Sequence, residues 1–249
     1  MVRACKWVDE VIEDAPYSPT VELLNSVGCM YAAHGDDCSI NCEGEDAFGM
    51  LKRIGRCKIF KRTEGVSTTN IVGKLLLMTR DEQENVDQPI TSSEQADQEE
   101  RSVLTTSRRL SQFSNRREPK EGQRIIYIDG TFDLFHIGHV EILKQAKAQG
   151  DFLIVGVHDD ATVNQHKGSN YPILSLHERV MCVLSQSAVD EVIIGAPWQI
   201  TRDLIVSFKI DVVCQGAIPK GDEEAKVWRK GSVDLTEDPY RVAKEMDKY

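Results

Sequence analysis

Short runs of aliphatic and β-branched residues alternate with amphipathic stretches through the second half of the chain. The runs that predict strands are Ile125–Ile128, Leu153–Val157, Val192–Ile194 and Val212–Val213. The residues between them follow helical patterns, and Gly150 stands where the first of these helices would end. Alternating strands and helices predict an α/β fold with a doubly wound parallel sheet, in which ligands bind beyond the carboxyl ends of the strands.

An internal repeat links the two ends of the sequence. Val8–Gly35 aligns without gaps to Val189–Gly216, an offset of 181 residues from Val8 to Val189. Both segments begin VDEVI, contain Ala-Pro before an aromatic residue, and end in glycine. A strand and "FHIGHVEIL" precede VDEVI only in the second copy, and "RTEGVSTT" follows only in the first. We therefore expect two tandem Rossmann-like units in a chain truncated at both ends. The first would lack its amino-terminal half, and the second its last segment.

A highly charged stretch separates the two copies. Residues 81–100 contain eight acidic and no basic residues, whereas residues 101–124 contain seven basic and two acidic ones. Few large apolar residues occur in either stretch, which is typical of a disordered linker. The predicted domains are residues 1–79, a linker at 80–122, and a second unit at 123–249.

Composition excludes several classes of function. The net charge of −10 and pI near 5.2 argue against nucleic acid as a partner. No apolar run approaches the ~18 residues of a membrane span. Charged residues, including Lys6 and Asp9, interrupt the first twenty positions, where a signal peptide would need an apolar core. These features predict a cytoplasmic protein.

The cysteines indicate free thiols. There are seven, an odd number, scattered over a chain without secretory features. Cys29, His34, Cys38 and Cys42 lie close enough in sequence to suggest a metal site. They contain no C-x-x-C pair, so we predict no metal ligands here.

"FHIGHVEIL", at Phe135–Leu143, is the first candidate for chemistry. His136 and His139 lie three residues apart at the start of a predicted helix and therefore share one face. Gly138 keeps the space between the imidazoles open, and the helix N-terminus adds unpaired N–H groups. This combination suits a phosphate chain that gains charge during displacement. The alternative is two surface histidines with a packing glycine.

Four nearby residues extend this candidate site. Gly130 would allow a ligand to approach the backbone, and Asp133 could hydrogen-bond a nucleotide. Lys167, in "HKGSNYP", would supply a mobile cation, although an ordinary polar loop is the alternative. Arg179, in "LHER", lies on a predicted helix and would face either the site or the solvent.

"RTEGVSTT", at Arg62–Thr69, is the second candidate. Arg62 can bind phosphate through its planar guanidinium, and Ser67 or Thr68 can cap the apolar helix that follows while their N–H groups face a ligand. The alternative is an N-capped helix after a turn.

"GTFDLFHIGH" together with "RTEGVSTT" resembles the cytidylyltransferases, a branch of the HxGH nucleotidyltransferases. The tandem arrangement, without a long basic amphipathic helix, is similar to the branch that uses phosphoethanolamine rather than phosphocholine. The resemblance implies cytidylyl transfer from CTP to phosphoethanolamine with Mg²⁺ assisting, giving CDP-ethanolamine for phospholipid biosynthesis. Self-association, or pairing with a full-length copy, is a further expectation.

The resemblance and the residue-level reasoning together assign site residues in both copies. Those assigned to catalysis are His136, His139 and Lys167. Those assigned to the nucleotide are Gly130, Asp133, Gly138, Arg179, Arg62, Thr63, Ser67 and Thr68, and the aminoalcohol is assigned to Asp36.

Neither copy contains every motif of the family, because each lacks one of the two signature segments. Two alternatives therefore stay open: a non-catalytic nucleotide-binding or regulatory fragment, and an adenylyltransferase acting on another phosphoester.

Overall fold

The chain forms two compact units in a computed structural model that describes residues 1–37, 39–63, 71–73, 75, 118–168, 170–216 and 239–249. One unit comprises Glu10–Val72, and the other comprises Met1–Asp9 with Gly73–Tyr249. The first nine residues therefore group with the second copy of the repeat. The predicted linker falls mostly outside the described residues, and its boundaries stay predictions.

The unit Glu10–Val72 contains a two-stranded parallel sheet within the described residues. Its elements are α1 (Val21–Ser26), β1 (Ala32–Gly35), α2 (Gly49–Arg53) and β2 (Cys57–Phe60). Strand β1 pairs with β2 so that Gly35 lies opposite Phe60. Because the strands are parallel, the segments that follow them leave from the same edge of the sheet.

The larger unit has four described strands, all parallel. Its strands are β3 (Ile125–Gly130), β4 (Phe152–Val157), β5 (Glu191–Ile194) and β6 (Val212–Cys214), and its helices are α3 (Ile137–Lys147), α4 (Asp160–Lys167), α5 (Leu176–Leu184), α6 (Arg202–Ser207) and α7 (Arg241–Glu245). The strand order is β5-β4-β3-β6. The predicted α/β fold with a Rossmann-like parallel sheet is confirmed.

Strand β3 occupies the topological switch point of this sheet. The chain runs from β3 outward through β4 to β5, then returns to place β6 on the other side of β3. A crevice forms at such a point beyond the carboxyl ends of the strands. The segment after Gly130, which leads into α3, begins at this crevice.

The two faces of the sheet carry separate apolar cores because side chains alternate along each strand. Ile126 and Ile128 pack on one face with residues of α3 and α5 such as Leu143 and Val180. Tyr127 points to the opposite face and packs with residues that include Ile205 of α6. Buried on both sides, β3 and β4 read as nearly continuous apolar runs, as parallel strands commonly do.

The structure confirms the internal repeat at the level of hydrogen bonds. Helices α1 and α6 begin and end at positions related by the offset of 181 residues. Thr20 caps α1 by accepting the Leu23 N–H at 3.2 Å, and Thr201 caps α6 by accepting the Leu204 N–H at 3.2 Å. At both positions the threonine hydroxyl satisfies a helix N–H group that would otherwise lack a partner.

No helix in the described part of the chain is long and apolar enough to span a membrane. The cytoplasmic location stays a prediction.

Candidate active site

Strand β3 connects to α3 through a strained loop, residues 131–136. Phe132 and Leu134 adopt positive φ angles of 52° and 45°, which non-glycine residues rarely do. The Phe132 ring packs over Gly130, where an added Cβ would lie 3.1 Å from Cε2. Gly130 thus makes room for Phe132, and its predicted contact with a nucleotide stays a prediction.

His136 and His139 form a reciprocal cap at the start of α3. His136 is the N-cap residue, and its Nδ1 accepts the Gly138 N–H at 3.0 Å. His139 Nδ1 accepts the His136 N–H at 3.2 Å, and the two ring centroids lie 4.0 Å apart. The predicted shared face is confirmed. Because each Nδ1 accepts a backbone N–H, each neutral imidazole carries its proton on Nε2. The pair therefore offers two Nε2–H donors.

The surroundings of His139 keep its imidazole neutral. The pKa of His139 is lowered to about 4, chiefly by burial and then by electrostatic interaction with His136 and Lys167, against the opposing charge of Asp133. The ring stacks on Phe135 at a centroid distance of 5.2 Å. A neutral His139 preserves the cap, since protonation of Nδ1 would remove its acceptor.

This environment predicts a pH dependence of stability. The ordinary pKa of 6.5 applies in the unfolded chain, so the folded chain binds fewer protons between pH 6.5 and 4. The free energy of unfolding should therefore fall as the pH drops through this window. Urea denaturation at several pH values measures it, with His139→Gln as the control that lacks the titrating ring. Equal slopes for the two proteins would contradict the prediction.

Lys167 is the last residue of α4 and its side chain is exposed. Its positive charge is one of the causes that lower the pKa of His139, so it lies within electrostatic range of that ring. Gly168, which follows with φ 103°, ends the helix. The structure thus brings Lys167 toward the site predicted for it, and its catalytic role stays a prediction.

Asp133 fastens the loop after β3 to the loop before α5. Its carboxylate accepts the N–H groups of Ile173 at 2.7 Å and Leu174 at 2.9 Å. It also accepts the Leu134 N–H at 3.0 Å. These three bonds stabilise the backbone geometry that leads to the histidines. A direct contact between Asp133 and a nucleotide stays a prediction.

Arg179, which was predicted to face either the site or the solvent, does not face the solvent, and its contact with a nucleotide stays a prediction. Its side chain is fully buried. It donates to the carbonyl oxygens of Leu174 at 3.1 Å, Thr131 at 2.6 Å and His158 at 2.8 Å. It also donates to Asp160 Oδ1 at 2.6 Å. The guanidinium therefore ties together the segments that follow β3 and β4 and the loop before α5.

A second polar cluster, which the sequence analysis did not select, lies on the other face of β3. Asp129, near the carboxyl end of the strand, accepts the Tyr240 hydroxyl at 2.8 Å through Oδ1. Its Oδ2 is buried, and the adjoining Tyr127 hydroxyl interacts with the same carboxylate. Burial raises the pKa of Asp129, opposed by the charge of His158. The carboxylate is therefore enclosed by two tyrosine hydroxyls, those of Tyr127 and Tyr240.

His158, which interacts electrostatically with Asp129, lies next to an aromatic ring. Its Nδ1 bonds the Ala196 carbonyl at 2.9 Å, and its ring lies 5.1 Å from that of Trp198. His166 stacks on Trp198 at 4.1 Å with an interplanar angle of 7°. The repeat offered a signal for this site: Trp198 is the aromatic residue after Ala-Pro and aligns with Tyr17.

In the unit Glu10–Val72, the predicted residues Asp36 and Arg62 meet beyond β1 and β2. Asp36 Oδ1 accepts the Arg62 backbone N–H at 3.2 Å, and the Arg62 guanidinium donates to Asp37 Oδ2 at 3.2 Å. Gly35 permits this approach, since an added Cβ would lie 2.6 Å from Asp37 Oδ1. Thr63 follows in an exposed position. Ser67 and Thr68 lie outside the described residues, so their roles stay predictions.

The cysteine cluster does not form a described metal site. His34 uses both ring nitrogens, bonding the Gly35 carbonyl at 2.9 Å and the Ser39 hydroxyl at 3.0 Å. Within the described ranges, no group of three His, Cys, Asp or Glu side chains could hold a metal ion. The six described cysteines are free thiols, and Cys38 lies outside these ranges.

Known proteins are similar to this sequence over most of its length. The cytidylyltransferase-like family model matches residues 1–74 and 127–234. The ethanolamine-phosphate cytidylyltransferase of Dictyostelium discoideum is 48% identical over 259 residues, which cover 100% of this chain and 69% of that protein. Those of Arabidopsis thaliana and Mus musculus are 46% and 38% identical, cover 91% and 87% of this chain, and are matched over 59% and 61% of their own lengths.

Proposed function

Because the chain belongs to the ethanolamine-phosphate cytidylyltransferase family, we propose that it transfers the cytidylyl group of CTP to phosphoethanolamine, giving CDP-ethanolamine and pyrophosphate. The observation that carries this proposal is the paired Nε2–H donors of His136 and His139 at the switch point of the sheet. The fragment and adenylyltransferase alternatives have no comparable support.

The reaction needs positioning and charge stabilisation rather than a covalent intermediate. A phosphate oxygen of phosphoethanolamine attacks the α-phosphorus of CTP, and the bond from that phosphorus to the bridging oxygen of pyrophosphate breaks. The attacking phosphate is already anionic, so no base has to remove a proton. The two Nε2–H groups would donate to triphosphate oxygens as negative charge develops in the transition state. The Lys167 ammonium would offset charge on the same phosphates.

Mg²⁺ enters this proposal as a partner of the nucleotide. Mg²⁺ usually binds through one or two carboxylates together with substrate phosphate oxygens, and the described residues provide no converging set of three ligands. The ion would therefore arrive with CTP, where it supplies Lewis-acid stabilisation of phosphate charge.

The cluster around Asp129 supports an ammonium group as part of the substrate. Burial raises the pKa of Asp129, so the ionised carboxylate gains stability when a cation approaches. Asp129 is thus a structural candidate for the aminoalcohol site, in addition to Asp36, which the resemblance assigned.

Asp129→Asn should raise the KM for phosphoethanolamine by about 30-fold or more, because it removes a buried charge that faces the ammonium group. The KM for CTP should stay within about twofold. Steady-state kinetics with each substrate varied in turn measures both constants. Asp36→Asn is the matched comparison: if it raises this KM instead, the aminoalcohol site lies beyond β1 and not at Asp129.

Gly138→Ala should reduce activity by about tenfold or more while changing stability by less than about 1 kcal/mol. The new Cβ would lie 2.8 Å from Cε1 of His136, so that exposed ring must rotate away and lose its cap. The higher helix propensity of alanine offsets the stability lost with the hydrogen bond from the residue 138 N–H to His136 Nδ1. Activity and urea denaturation are measured together.

Gly49→Ala is the control for this change, since its Cβ would meet Asp46 at an ordinary 3.5 Å. Full activity of Gly138→Ala would show that the orientation of His136 is unimportant.

The proposed reaction is tested by incubating the full chain with Mg²⁺, CTP or ATP, and phosphoethanolamine or phosphocholine, then separating the products by chromatography. We expect CDP-ethanolamine as the main product. Preference for ATP would favour the adenylyltransferase alternative, and preference for phosphocholine would reject the head group.

A further inference from the structure

His158 directly follows strand β4 and lies on the same face of the sheet as Asp129. Asp129 pairs with Gly156 across strands β3 and β4, and the His158 N–H extends this pairing by donating to the Gly130 carbonyl at 3.2 Å. Because side chains alternate along a strand, residues 156 and 158 share one face. Neighbouring strands lie about 4.8 Å apart, so the side chains of Asp129 and His158 are neighbours at the carboxyl end of the sheet.

A backbone carbonyl determines which ring nitrogen of His158 can accept a hydrogen bond. The residue is buried, and its Nδ1 lies 2.9 Å from the carbonyl oxygen of Ala196. A carbonyl oxygen only accepts hydrogen bonds, so Nδ1 carries a proton. In the neutral imidazole, Nε2 is then an acceptor. This tautomer is the opposite of that of His136 and His139, whose Nε2 atoms carry the proton.

A carboxylate beside a neutral acceptor suits a primary ammonium group. The charge of Asp129 attracts a primary and a quaternary ammonium group alike, so the carboxylate charge alone does not separate ethanolamine from choline. A primary ammonium group carries three N–H donors, whereas a quaternary one carries none. An acceptor such as Nε2 of His158 therefore distinguishes the two, because it is left unpaired in the site by a ligand without an N–H group.

We propose that His158 is a specificity-determining residue: its Nε2 accepts an N–H of the ammonium group of phosphoethanolamine, so that phosphocholine is rejected. Asp129 supplies the charge that attracts the ammonium group, and His158 selects for the absence of methyl groups. This inference rests on the proposed function and deepens it, because it names the residue that recognises the head group.

The test uses four phosphorylated amines with the same positive charge: phosphoethanolamine, its N-methyl and N,N-dimethyl derivatives, and phosphocholine. They carry three, two, one and no N–H donors. Each is titrated calorimetrically into the full chain, with CTP present and Mg²⁺ omitted to prevent turnover. Two acceptors, Asp129 and His158, need two N–H groups. The affinity should therefore fall in one step, by about tenfold or more, from the N-methyl to the N,N-dimethyl compound.

His158→Asn separates this role from a structural one. Asparagine keeps an N–H donor near the position of Nδ1, toward the Ala196 carbonyl, but has no atom at the position of Nε2. It should bind phosphoethanolamine about tenfold or more weakly and lose the step between the N-methyl and N,N-dimethyl compounds. A purely structural role predicts normal binding, because the bond to Ala196 is kept. His158→Gln, whose amide oxygen reaches toward the position of Nε2, should keep the step.

His177→Asn is the matched control. His177 lies on α5, which packs on the other face of the sheet, so this variant should bind the four compounds as the unaltered chain does. Urea denaturation checks that each variant is folded. If His158→Asn does not fold, the unaltered chain and His158→Gln still decide the matter, since the absence of the step in either would overturn the proposal.

Binding and reaction are scored separately. Normal affinity of folded His158→Asn for phosphoethanolamine, or an unaltered chain that binds none of the four compounds, would overturn the proposal. Mg²⁺ is then added and CDP-ethanolamine is measured. Product formation by His158→Asn with an unchanged preference for phosphoethanolamine over phosphocholine would overturn the role of His158 while the reaction stands. The expected binding pattern without product would support His158 and reject the reaction.

Discussion

The double variant His136→Ala, His139→Ala should lose CDP-ethanolamine formation by about a thousandfold or more in kcat/KM. Each imidazole is held by a backbone N–H at its Nδ1, so its Nε2–H is oriented before substrate binds. Removing one such preorganised donor typically costs about 10²–10³-fold in rate. The two effects are not expected to multiply fully, because the side chains form one reciprocal cap.

Loss of the cap must be separated from loss of the donors. Removing a helix cap costs about 1 kcal/mol of stability, so the variant should stay folded, and urea denaturation checks this. Lys144→Ala, Gln145→Ala on the exposed face of α3 is the matched double control and should keep full activity. A folded double-histidine variant within about tenfold of normal activity would show that the donors do not stabilise the transition state.

Arg179→Ala should destabilise the larger unit by about 3–5 kcal/mol, the usual cost of breaking a buried, hydrogen-bonded charge. The change removes donors from the carbonyls of Thr131, His158 and Leu174 at once and leaves these loops without a common partner. It also leaves a cavity, because the side chain is fully buried. The free energy of unfolding in urea measures the loss.

Arg241→Ala is the matched control, since it removes an arginine whose ion pair with Glu245 is exposed. Such pairs contribute less than about 1 kcal/mol. Arg179→Lys should recover only part of the stability, because an ammonium group cannot reproduce the planar set of donors. A loss below about 1 kcal/mol for Arg179→Ala would mean that the loops hold their positions without the guanidinium.

The sequence pattern was sufficient to predict the features that depend on residues close together in the chain. The spacing of His136 and His139 follows directly from helix geometry, so the shared face was predictable. The repeat was equally visible, because equivalent residues such as Thr20 and Thr201 perform the same capping function in both copies. The parallel sheet followed from the alternation of apolar runs and helices.

The residues whose surroundings could not be predicted from the sequence depend on contacts between distant segments. Arg179 lies on an amphipathic helix. Its burial follows from contacts with Thr131 and His158, which are distant in sequence. Asp129 and Tyr240 are 111 positions apart and come together only because α7 packs on that face of the sheet. No periodic pattern in the sequence predicts such a long-range contact.

The most direct test of the central claim is a ³¹P NMR time course of the full chain with CTP, phosphoethanolamine and Mg²⁺. The proposed displacement predicts that CDP-ethanolamine and pyrophosphate appear in equal amounts as CTP and phosphoethanolamine are consumed. Unchanged substrates with a folded, monodisperse chain, or hydrolysis of CTP to CDP and phosphate, would contradict it.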